Sequence, residues 1–335
     1  MKNIELDGLD LQIINALQIE PRASWSSLAP VIGVDSLTLA RRWERITAHG
    51  LAWPVAMLHD SRSASNAIVE VQCHPGQVLD TARHASRDPA ISSIDLTSGT
   101  RDIIMTLGAR NDDELADYIL TRLGKLPGVR SLRTYILNST LKLGSKWTLR
   151  ALSPAQAGRV PRFRPPRAAA AKVVPGTLAS RLVGLLEQNL RSTNTELGQA
   201  LGIGSQRVAD AIATLRTEGI LDLRVHLSQN YSNWPVVTWY FLQVPSISLL
   251  ATDHAWLSMP EIQFAGVTFG QYNLIVALTA HSRADTLRLE AELEGRIHGA
   301  RVVDRSAVIR VHKHIGHILD ASGCATGEIV SLLRP

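Results

Sequence analysis

Length, composition and charge limit the possibilities before any motif is considered. The chain has 335 residues, of which 45% are hydrophobic and 19% charged, so several compact units with ordinary cores are expected. Its formal net charge of +5 favours polyanionic partners. The start, MKNIELDGLD, has no apolar signal core, and no apolar run reaches the roughly 18 residues that span a bilayer, so neither secretion nor membrane insertion is expected.

A gapless internal repeat is the strongest organising feature of the sequence. The segment PRASWSSLAPVIGVDSLTLARRWERITAHGLA aligns with LRSTNTELGQALGIGSQRVADAIATLRTEGIL, which begins 169 positions later. The alignment pairs Arg22 with Arg191, Gly33 with Gly202, and Gly50 with Gly219. Each copy has a short helical pattern, a glycine and a second periodic helix that ends near another glycine, which predicts a helix-turn-helix.

Downstream of each copy, β-branched runs bounded by turn residues predict four strands. In the first half, helical segments near 76–87 and 112–124 separate strands at 66–74, 90–98, 101–109 and 129–137. In the second half, the strands lie near 236–244, 261–268, 273–280 and 301–311. The order βαββαβ is the ferredoxin-like arrangement, so the fold class is α+β, with a winged/helix-turn-helix domain and a ferredoxin-like domain duplicated in one chain.

Domain boundaries follow from these patterns. The stretch SPAQAGRVPRFRPPRAAAAKVVPG replaces core periodicity with Pro, Ala and positive charge, which predicts an exposed linker. Its cations Arg159, Arg162, Arg164, Arg167 and Lys172 either keep the tether soluble or form an arm that follows DNA phosphates. The predicted segments are a helix-turn-helix at 1–60, a ferredoxin-like domain at 64–140, a linker at 151–175, a second helix-turn-helix at 176–228, a second ferredoxin-like domain at 234–315 and a tail at 316–335.

These features resemble the Lrp/AsnC family of transcriptional regulators, which join an N-terminal helix-turn-helix to a ferredoxin-like (RAM-type) effector domain. The resemblance rests on the opening LDGLDLQIINALQIEPRAS and on the paired arginines and following glycine of LTLARRWERITAHG. It covers nearly the whole chain, twice. It implies a regulator that binds double-stranded DNA and responds to a small effector, an amino acid or a derivative of one.

Residues at the start of a recognition helix face base edges, and basic residues also meet phosphates. The predicted DNA-binding residues are Ser36, Leu37, Thr38, Arg41, Arg42, Arg45 and Arg207. Two alternatives stay open: the arginines form a solvated helix face, and Asp35 or Ser36 caps the helix. In the second copy Asp210 and Ala211 replace the arginine pair, which predicts that the two modules differ in DNA binding.

The family resemblance also implies an effector site at a Gly-x-x-Asp hairpin between the second and third strands. A turn glycine frees the backbone to approach a ligand, and a carboxylate can pair with an ammonium group. The alternative is that the glycine only shapes the hairpin and the aspartate caps it. The candidate residues are Gly99, Thr100, Arg101 and Asp102 in the first half, and Gly270, Tyr272 and Asn273 in the second.

Other chemistry is not predicted. There is no P-loop, GxGxxG, HExxH or GxSxG motif, and no cofactor is expected. His312, His314 and His317 have no acidic or cysteine ligand at matching spacing, so no metal is expected. The separated Cys73 and Cys324 suit a reducing cytoplasm. Self-association into dimers or higher even-numbered oligomers is expected, with the effector domains pairing either within or between chains.

Two other functions remain open. Siroheme decarboxylases share this architecture, but their His-Asn-Tyr signature is missing here, since the nearest string is Gln229-Asn230-Tyr231. The other alternative is an architectural protein that coats DNA with little sequence preference. The arginine pair in the first copy favours a sequence-specific regulator that is not an enzyme.

Overall fold

A computed structural model describes residues 5–58, 65–144, 147–170, 173–250 and 254–332 of the chain. These residues form two compact units. The first unit contains both helix-turn-helix segments and the region between the halves, within 5–58, 148–170, 173–228 and 331–332. The second unit contains both ferredoxin-like segments, within 65–144, 147, 229–250 and 254–330. No helix of the described residues is long and apolar enough to cross a membrane.

The first unit has two copies of a three-helix arrangement, each followed by one strand. The first copy consists of α1 (Gly8–Ile19), α2 (Trp25–Ile32), α3 (Ser36–Ala48) and β1 (Ala52–Leu58). The second, which follows α6 (Pro154–Arg159), consists of α7 (Gly176–Gln188), α8 (Asn194–Leu201), α9 (Ser205–Thr217) and β6 (Leu221–Leu227). Strands β1 and β6 were not predicted; they pair antiparallel with each other over seven residues each.

Local chemistry explains the turn between α2 and α3. Gly33 ends α2 with φ +91°, a left-handed conformation that glycine adopts without strain. Asp35 is the N-cap of α3, since its carboxylate accepts a hydrogen bond of 2.9 Å from the backbone N–H of Thr38. One of the two predicted caps is therefore confirmed, and Ser36 is the first helical residue. Pro30 lies inside the eight-residue α2, where it removes one backbone donor.

The second unit contains the two predicted βαββαβ segments. The first consists of β2 (Ser65–Cys73), α4 (Val78–Ser86), β3 (Ile91–Thr97), β4 (Ile103–Ala109), α5 (Asp112–Asp117) and β5 (Val129–Lys142). The second consists of β7 (Val236–Gln243), α10 (Ser246–Leu249), β8 (Ile262–Thr268), β9 (Leu274–Ala280), α11 (Asp285–Arg296) and β10 (Arg301–His314). A π-helical turn, Tyr118–Arg122, and a 3₁₀ turn, Leu123–Lys125, extend α5.

The two βαββαβ segments share one sheet because β5 and β10 are 14 residues long. The first part of β5 pairs with β2, and its last part pairs with β8. Likewise, β10 pairs first with β7 and then with β3. The order β10-β3-β4-β2-β5-β8-β9-β7, with the further β7–β10 pairing, closes eight strands into a ring. The effector-type domains therefore pair within one chain, which the sequence had left open.

Three apolar cores hold this unit together. One lies between the first half of the ring and α4, and includes Val69, Ile94 and Met105. A corresponding core in the second half includes Leu242 and Val276. A third contains side chains from both halves, namely Ile68, Ile104, Tyr135, Trp239, Phe241, Tyr272, Ile275 and Ala277. This shared core makes the two halves one compact unit.

Two sequence predictions are wrong in part. The segment 151–175 is not exposed throughout, because it contains α6 and buries Leu152 and Val160; Ser153 caps the helix in a reciprocal bond with Gln156. The segment 316–335 is not simply a tail, because β11 (His317–Leu319) and β12 (Ala325–Ile329) extend the sheet beyond β10. Lys172 lies outside the described residues.

Candidate nucleic-acid interface and effector site

The exposed face of α3 carries some of the predicted DNA-binding residues. Leu39, Trp43 and Ile46 are buried and fix the opposite face of the helix in the core. Ser36, Leu37 and Arg41 are exposed, and Leu37 retains 66% of its accessible surface. Thr38 is half-buried, and its hydroxyl donates to the capping carboxylate of Asp35 at 2.7 Å. The outward surface of the N-terminal half of α3 thus includes its first turn and Arg41.

The remaining cations of α3 are held by carboxylates of α1. Arg42 lies 2.6 Å from Asp7 and 3.0 Å from Asp10, and Arg45 lies 2.5 Å from Asp10. Asp10 is fully buried, so these arginines neutralise a carboxylate that has no access to water. Although burial acts to raise it, the bonds from Arg42 and the backbone hold the pKa of Asp7 below its usual value. Arg42 and Arg45 therefore connect α3 to α1.

The second copy lacks this whole connection. At the positions of Asp7 and Asp10 it has Gly176 and Ala179, and at those of Arg42 and Arg45 it has Ala211 and Thr214. Because both sides of the ion pairs are absent together, the missing arginine at 211 reflects a different helix contact in that copy. On the outward surface the two helices differ at several positions, where Gln206 replaces Leu37, Arg207 replaces Thr38 and Asp210 replaces Arg41; only the last of these changes puts a negative charge in place of a positive one. Arg207 is exposed in the first turn of α9.

Arginines at equivalent positions join the two copies. Arg22 donates to the carbonyl oxygens of Leu190 and Ser192 at 2.6 and 3.0 Å. Arg191, its repeat equivalent, donates to the carbonyls of Pro21 and Ala23 at 3.3 and 2.9 Å. Burial, together with the nearby charge of Arg22, lowers the pKa of Arg191 to about 10. The reciprocal contacts relate the two helix-turn-helix segments by approximate two-fold symmetry.

The two predicted effector hairpins are built by the same hydrogen bonds. The hydroxyl of Thr97 donates to the carbonyl of Arg101 at 2.9 Å, as that of Thr268 does to Tyr272 at 2.6 Å. Gly99 and Gly270 have φ +104° and +129°, a region that glycine tolerates best. The two glycines and the exposed Thr100 form the outward edge of the hairpins.

Asp102, the residue predicted to bind an effector's ammonium group, makes a structural hydrogen bond, and so does its counterpart Asn273. The Asp102 carboxylate accepts the backbone N–H of Cys73 at 2.7 Å, and Asn273 accepts that of Val244 at 2.9 Å. An asparagine therefore replaces the aspartate without losing this bond. The bond connects each hairpin to the end of the neighbouring strand. One oxygen of Asp102 therefore has the structural role that the alternative interpretation, a capped hairpin, predicts.

Arg101 lies at the centre of a buried ionic cluster that has no counterpart in the second hairpin. Its Nε is 3.0 Å from Glu70, and its Nη2 is 2.7 Å from Asp304. Its Nη1 donates to Ser306 at 2.8 Å, and the guanidinium lies 3.9 Å from the centroid of the Phe241 ring. Side-chain exposure is 1% for Arg101 and 5% for Glu70. Burial raises the pKa of Glu70 despite the opposing charge of Arg101.

The cluster breaks the symmetry of the two halves. With the hairpins superposed by sequence, Arg101 corresponds to Tyr272, Glu70 to Phe241, and Asp304 to Arg133. Tyr135 and Tyr272 occupy the pseudo-equivalent place, with ring centroids 5.7 Å apart. Two copies of the first half would therefore bring Arg101 towards an arginine, whereas the second half supplies Asp304. The charges favour pairing of unlike halves.

Two family models match the first half of the chain. The AsnC-type helix-turn-helix domain matches residues 6–46, and the Lrp/AsnC ligand binding domain matches residues 66–147. An uncharacterized HTH-type transcriptional regulator of Pyrococcus furiosus is 30% identical over 142 residues, which are 42% of this chain and 96% of that relative. The chain belongs to the Lrp/AsnC family. A second regulator, from Pyrococcus horikoshii, is 29% identical over 146 residues and 92% of its length.

This Lrp/AsnC chain also resembles a duplicated structure along most of its length. The crystal structure of the siroheme decarboxylase NirDL matches with a TM-score of 0.57 and 14% identity, over 92% of this chain and 93% of that one. At this identity the likeness concerns the fold. It supports the duplicated arrangement of helix-turn-helix and ferredoxin-like domains.

Sequence reasoning missed several residues that shape these sites. Four acidic residues were not predicted, namely Asp7, Asp10, Glu70 and Asp304. A single acidic residue in a sequence does not reveal a partner that lies far away along the chain. Arg22 and Arg191 were detectable, since they were identical at the same position of an otherwise diverged repeat. An arginine that is kept at the same loop position of both copies indicates a contact that both copies make.

Proposed function

We propose that this member of the Lrp/AsnC family is a sequence-specific DNA-binding transcriptional regulator in the cytoplasm, tuned by an amino acid or a derivative of one. The observation that carries the proposal is the outward face of α3. Its capped first turn exposes Ser36, Leu37 and Arg41, while Trp43 and its neighbours are fixed in the core. A rigid helix with exposed polar and cationic groups near its N-terminus suits the major groove.

The ion pairs of α3 support different roles for its three arginines. Arg41 is free of the α1 carboxylates that hold Arg42 and Arg45, so we assign it to guanine or phosphate contact. Arg42 and Arg45 act by positioning α3, with side chains 30% and 45% exposed at its edge. Contact with DNA phosphates is a secondary role for these two residues.

The experiment is binding of the purified full chain to genomic fragments in increasing salt, with amino acids and related metabolites added. We expect selective fragments and at least one metabolite that shifts affinity by a population shift. Arg41→Ala should weaken selective binding by about 1–3 kcal/mol, or roughly 5- to 150-fold. Arg87→Ala, at an exposed position after α4, removes the same charge and is the control. Binding that ignores both sequence and metabolites would favour an architectural role.

The effector is proposed to bind at the hairpin edge around Gly99, Thr100 and Asp102. One Asp102 oxygen holds Cys73, and the charge of the carboxylate suits an ammonium group. The second hairpin, with Asn273 in place of the carboxylate, is proposed to bind such a ligand less well. Arg101 and Tyr272 are buried, so we assign them to the support of the hairpins rather than to ligand contact.

We further propose that the chain is not an enzyme and that it self-associates into dimers or higher even-numbered oligomers. Its curated relatives are named as HTH-type transcriptional regulators, and the decarboxylase signature is absent at Gln229-Asn230-Tyr231. Light scattering measures the assembly against the 36.5 kDa of one chain. Addition of an iron tetrapyrrole tests the enzyme alternative, which requires a shift in the pigment's absorbance and release of carbon dioxide.

A further inference from the structure

The basic segment before the second helix-turn-helix lies against that module's recognition helix. Arg167 forms a two-pronged contact with Asp210 of α9: its Nε donates at 3.1 Å and its Nη2 at 2.7 Å, each to a different carboxylate oxygen. Gln206, one turn earlier on α9, donates to the same carboxylate at 3.2 Å. The side chain of Asp210 is only 14% exposed, although it projects from the outward surface of the helix. The chain's own linker covers this position.

The covered position is the one at which the charge is reversed between the two recognition helices. Asp210 is the repeat equivalent of Arg41, which is exposed on α3. A carboxylate there repels DNA phosphates, whereas an arginine attracts them. In addition, the fork-like geometry of Arg167 satisfies Asp210 with a cation from the same chain. The hydrogen bond from Arg167 holds the pKa of Asp210 below its usual value.

A second contact anchors the linker a few residues earlier. The backbone N–H of Phe163 donates to Glu20 at 3.0 Å. Arg216 of α9 lies 4.2 Å from the centroid of the Phe163 ring and binds both oxygens of Glu20 at 2.9 Å. Glu20 is buried. Further upstream, Val160 is buried as well. The segment is therefore attached to the unit on the N-terminal side of Arg167.

This attachment strengthens an otherwise weak contact. An exposed ion pair alone stabilises little, and the Arg167 side chain is 58% exposed. However, with Phe163 fixed, only three residues separate the anchor from Arg167, so little chain entropy is lost when the fork forms. The attachment at Phe163 therefore keeps Arg167 close to Asp210.

We infer that residues 161–170 form a clamp that holds the linker on α9 and keeps this helix from reading DNA, so that each chain reads one half-site, through α3. The inference rests on the proposed DNA-binding function. Its consequence is one-sided readout by each chain: base contact is confined to one side of the pseudo-symmetric pair of helices. The clamp accounts for the charge reversal at 210 and for the bound position of the basic linker.

The clamp itself is tested without DNA, by limited trypsin digestion of the full chain. Asp210→Ala removes the carboxylate, and cleavage after Arg167 should become at least several-fold faster. Glu218→Ala removes a carboxylate from the exposed C-terminal end of α9 and is the matched control, for which the cleavage rate should stay as in the native chain. Equal rates for all three proteins would overturn the clamp. Circular dichroism checks that the variants are folded.

The readout of one half-site is tested by footprinting on a selected fragment. With the assembly size known from light scattering, the native protein should protect one half-site for each chain bound, and Arg207→Ala should weaken binding much less than Arg41→Ala. Asp210→Arg removes the clamp and restores the cation of the first copy, so protection should extend to a second site about 10 base pairs away, with a steeper salt dependence. Glu218→Arg makes the same charge change at the other end of α9 and should not extend the protected region.

The outcomes separate the two proposals. If the native protein protects two half-sites for each chain bound, or if Arg207→Ala weakens binding as much as Arg41→Ala, then α9 reads DNA and the inference is wrong. If the native chain binds no fragment selectively, the regulator proposal fails instead. The digestion rates still decide whether the linker is clamped to α9.

Discussion

Replacement of Arg101 by methionine should reveal how strongly the ionic cluster joins the two ferredoxin-like halves. The substitution keeps a long apolar stem but leaves the carboxylate of Glu70, 5% exposed, without the cation at 3.0 Å. It also removes the contacts from the first half to Asp304 and Ser306. Removal of one member of a buried ion pair typically costs 3–5 kcal/mol, so we expect the free energy of unfolding to fall by about that amount.

The assay is urea denaturation followed by far-ultraviolet circular dichroism and tryptophan fluorescence. Arg305→Met is the control, because Arg305 pairs with Glu290 on the surface with its side chain 50% exposed, and such pairs contribute about 0–1 kcal/mol. The double variant Glu70→Leu/Arg101→Met removes the stranded charge and should regain part of the loss. If Arg101→Met costs no more than Arg305→Met, the cluster does not stabilise the pairing of the halves.

Three further predictions follow from the sites. Arg42→Ala should destabilise the folded chain by about 1–3 kcal/mol, because the buried Asp10 loses one of its two cations; thermal unfolding with Arg41→Ala as comparison checks this, and equal stability of the two would contradict it. Asp102→Asn should preserve the fold, as the asparagine of the second half does, yet weaken the effector response of DNA binding; an unchanged response would place the effector elsewhere. Burial raises the pKa of Asp95, which accepts a bond from Trp239 at 2.8 Å, to about 6. The folded chain is then more protonated than the unfolded one between pH 4 and 6, so stability should fall by roughly 3 kcal/mol as the pH rises through this range, and Asp95→Asn should remove that part of the pH dependence in urea titrations.

The repeat made most of the fold predictable. Period and turn residues located the βαββαβ segments to within a few residues, except that β5 continues to Lys142 and β10 to His314. The extension of β5 carries most of its pairing with β8, and that of β10 adds Lys313 to the pairing with β3. The ends of β5 and β10 could not be predicted from the sequence, because the length of a strand beyond its local hairpin depends on a partner strand that is remote in sequence. Strands β1 and β6 were missed for the same reason, since each pairs only with the other.

The candidate sites show the same division between local and distant causes. The N-cap at Asp35 was predictable, because the cap and the amide it accepts lie three residues apart. The destination of Arg42 was not, because its partner Asp7 is 35 residues away. A sequence pattern shows that a cation lies on a helix, but it does not show whether the cation faces a nucleic acid or another helix.

The union of both halves in one chain changes what a single substitution does. In a dimer of identical subunits, every mutation appears twice, once on each side of the axis. Here Arg101 and Tyr272 stand at equivalent positions as different residues, and each is free to change alone. Natural variation has therefore been able to explore combinations that a symmetric dimer cannot encode, such as a cation facing a carboxylate at one end and two tyrosines at the other.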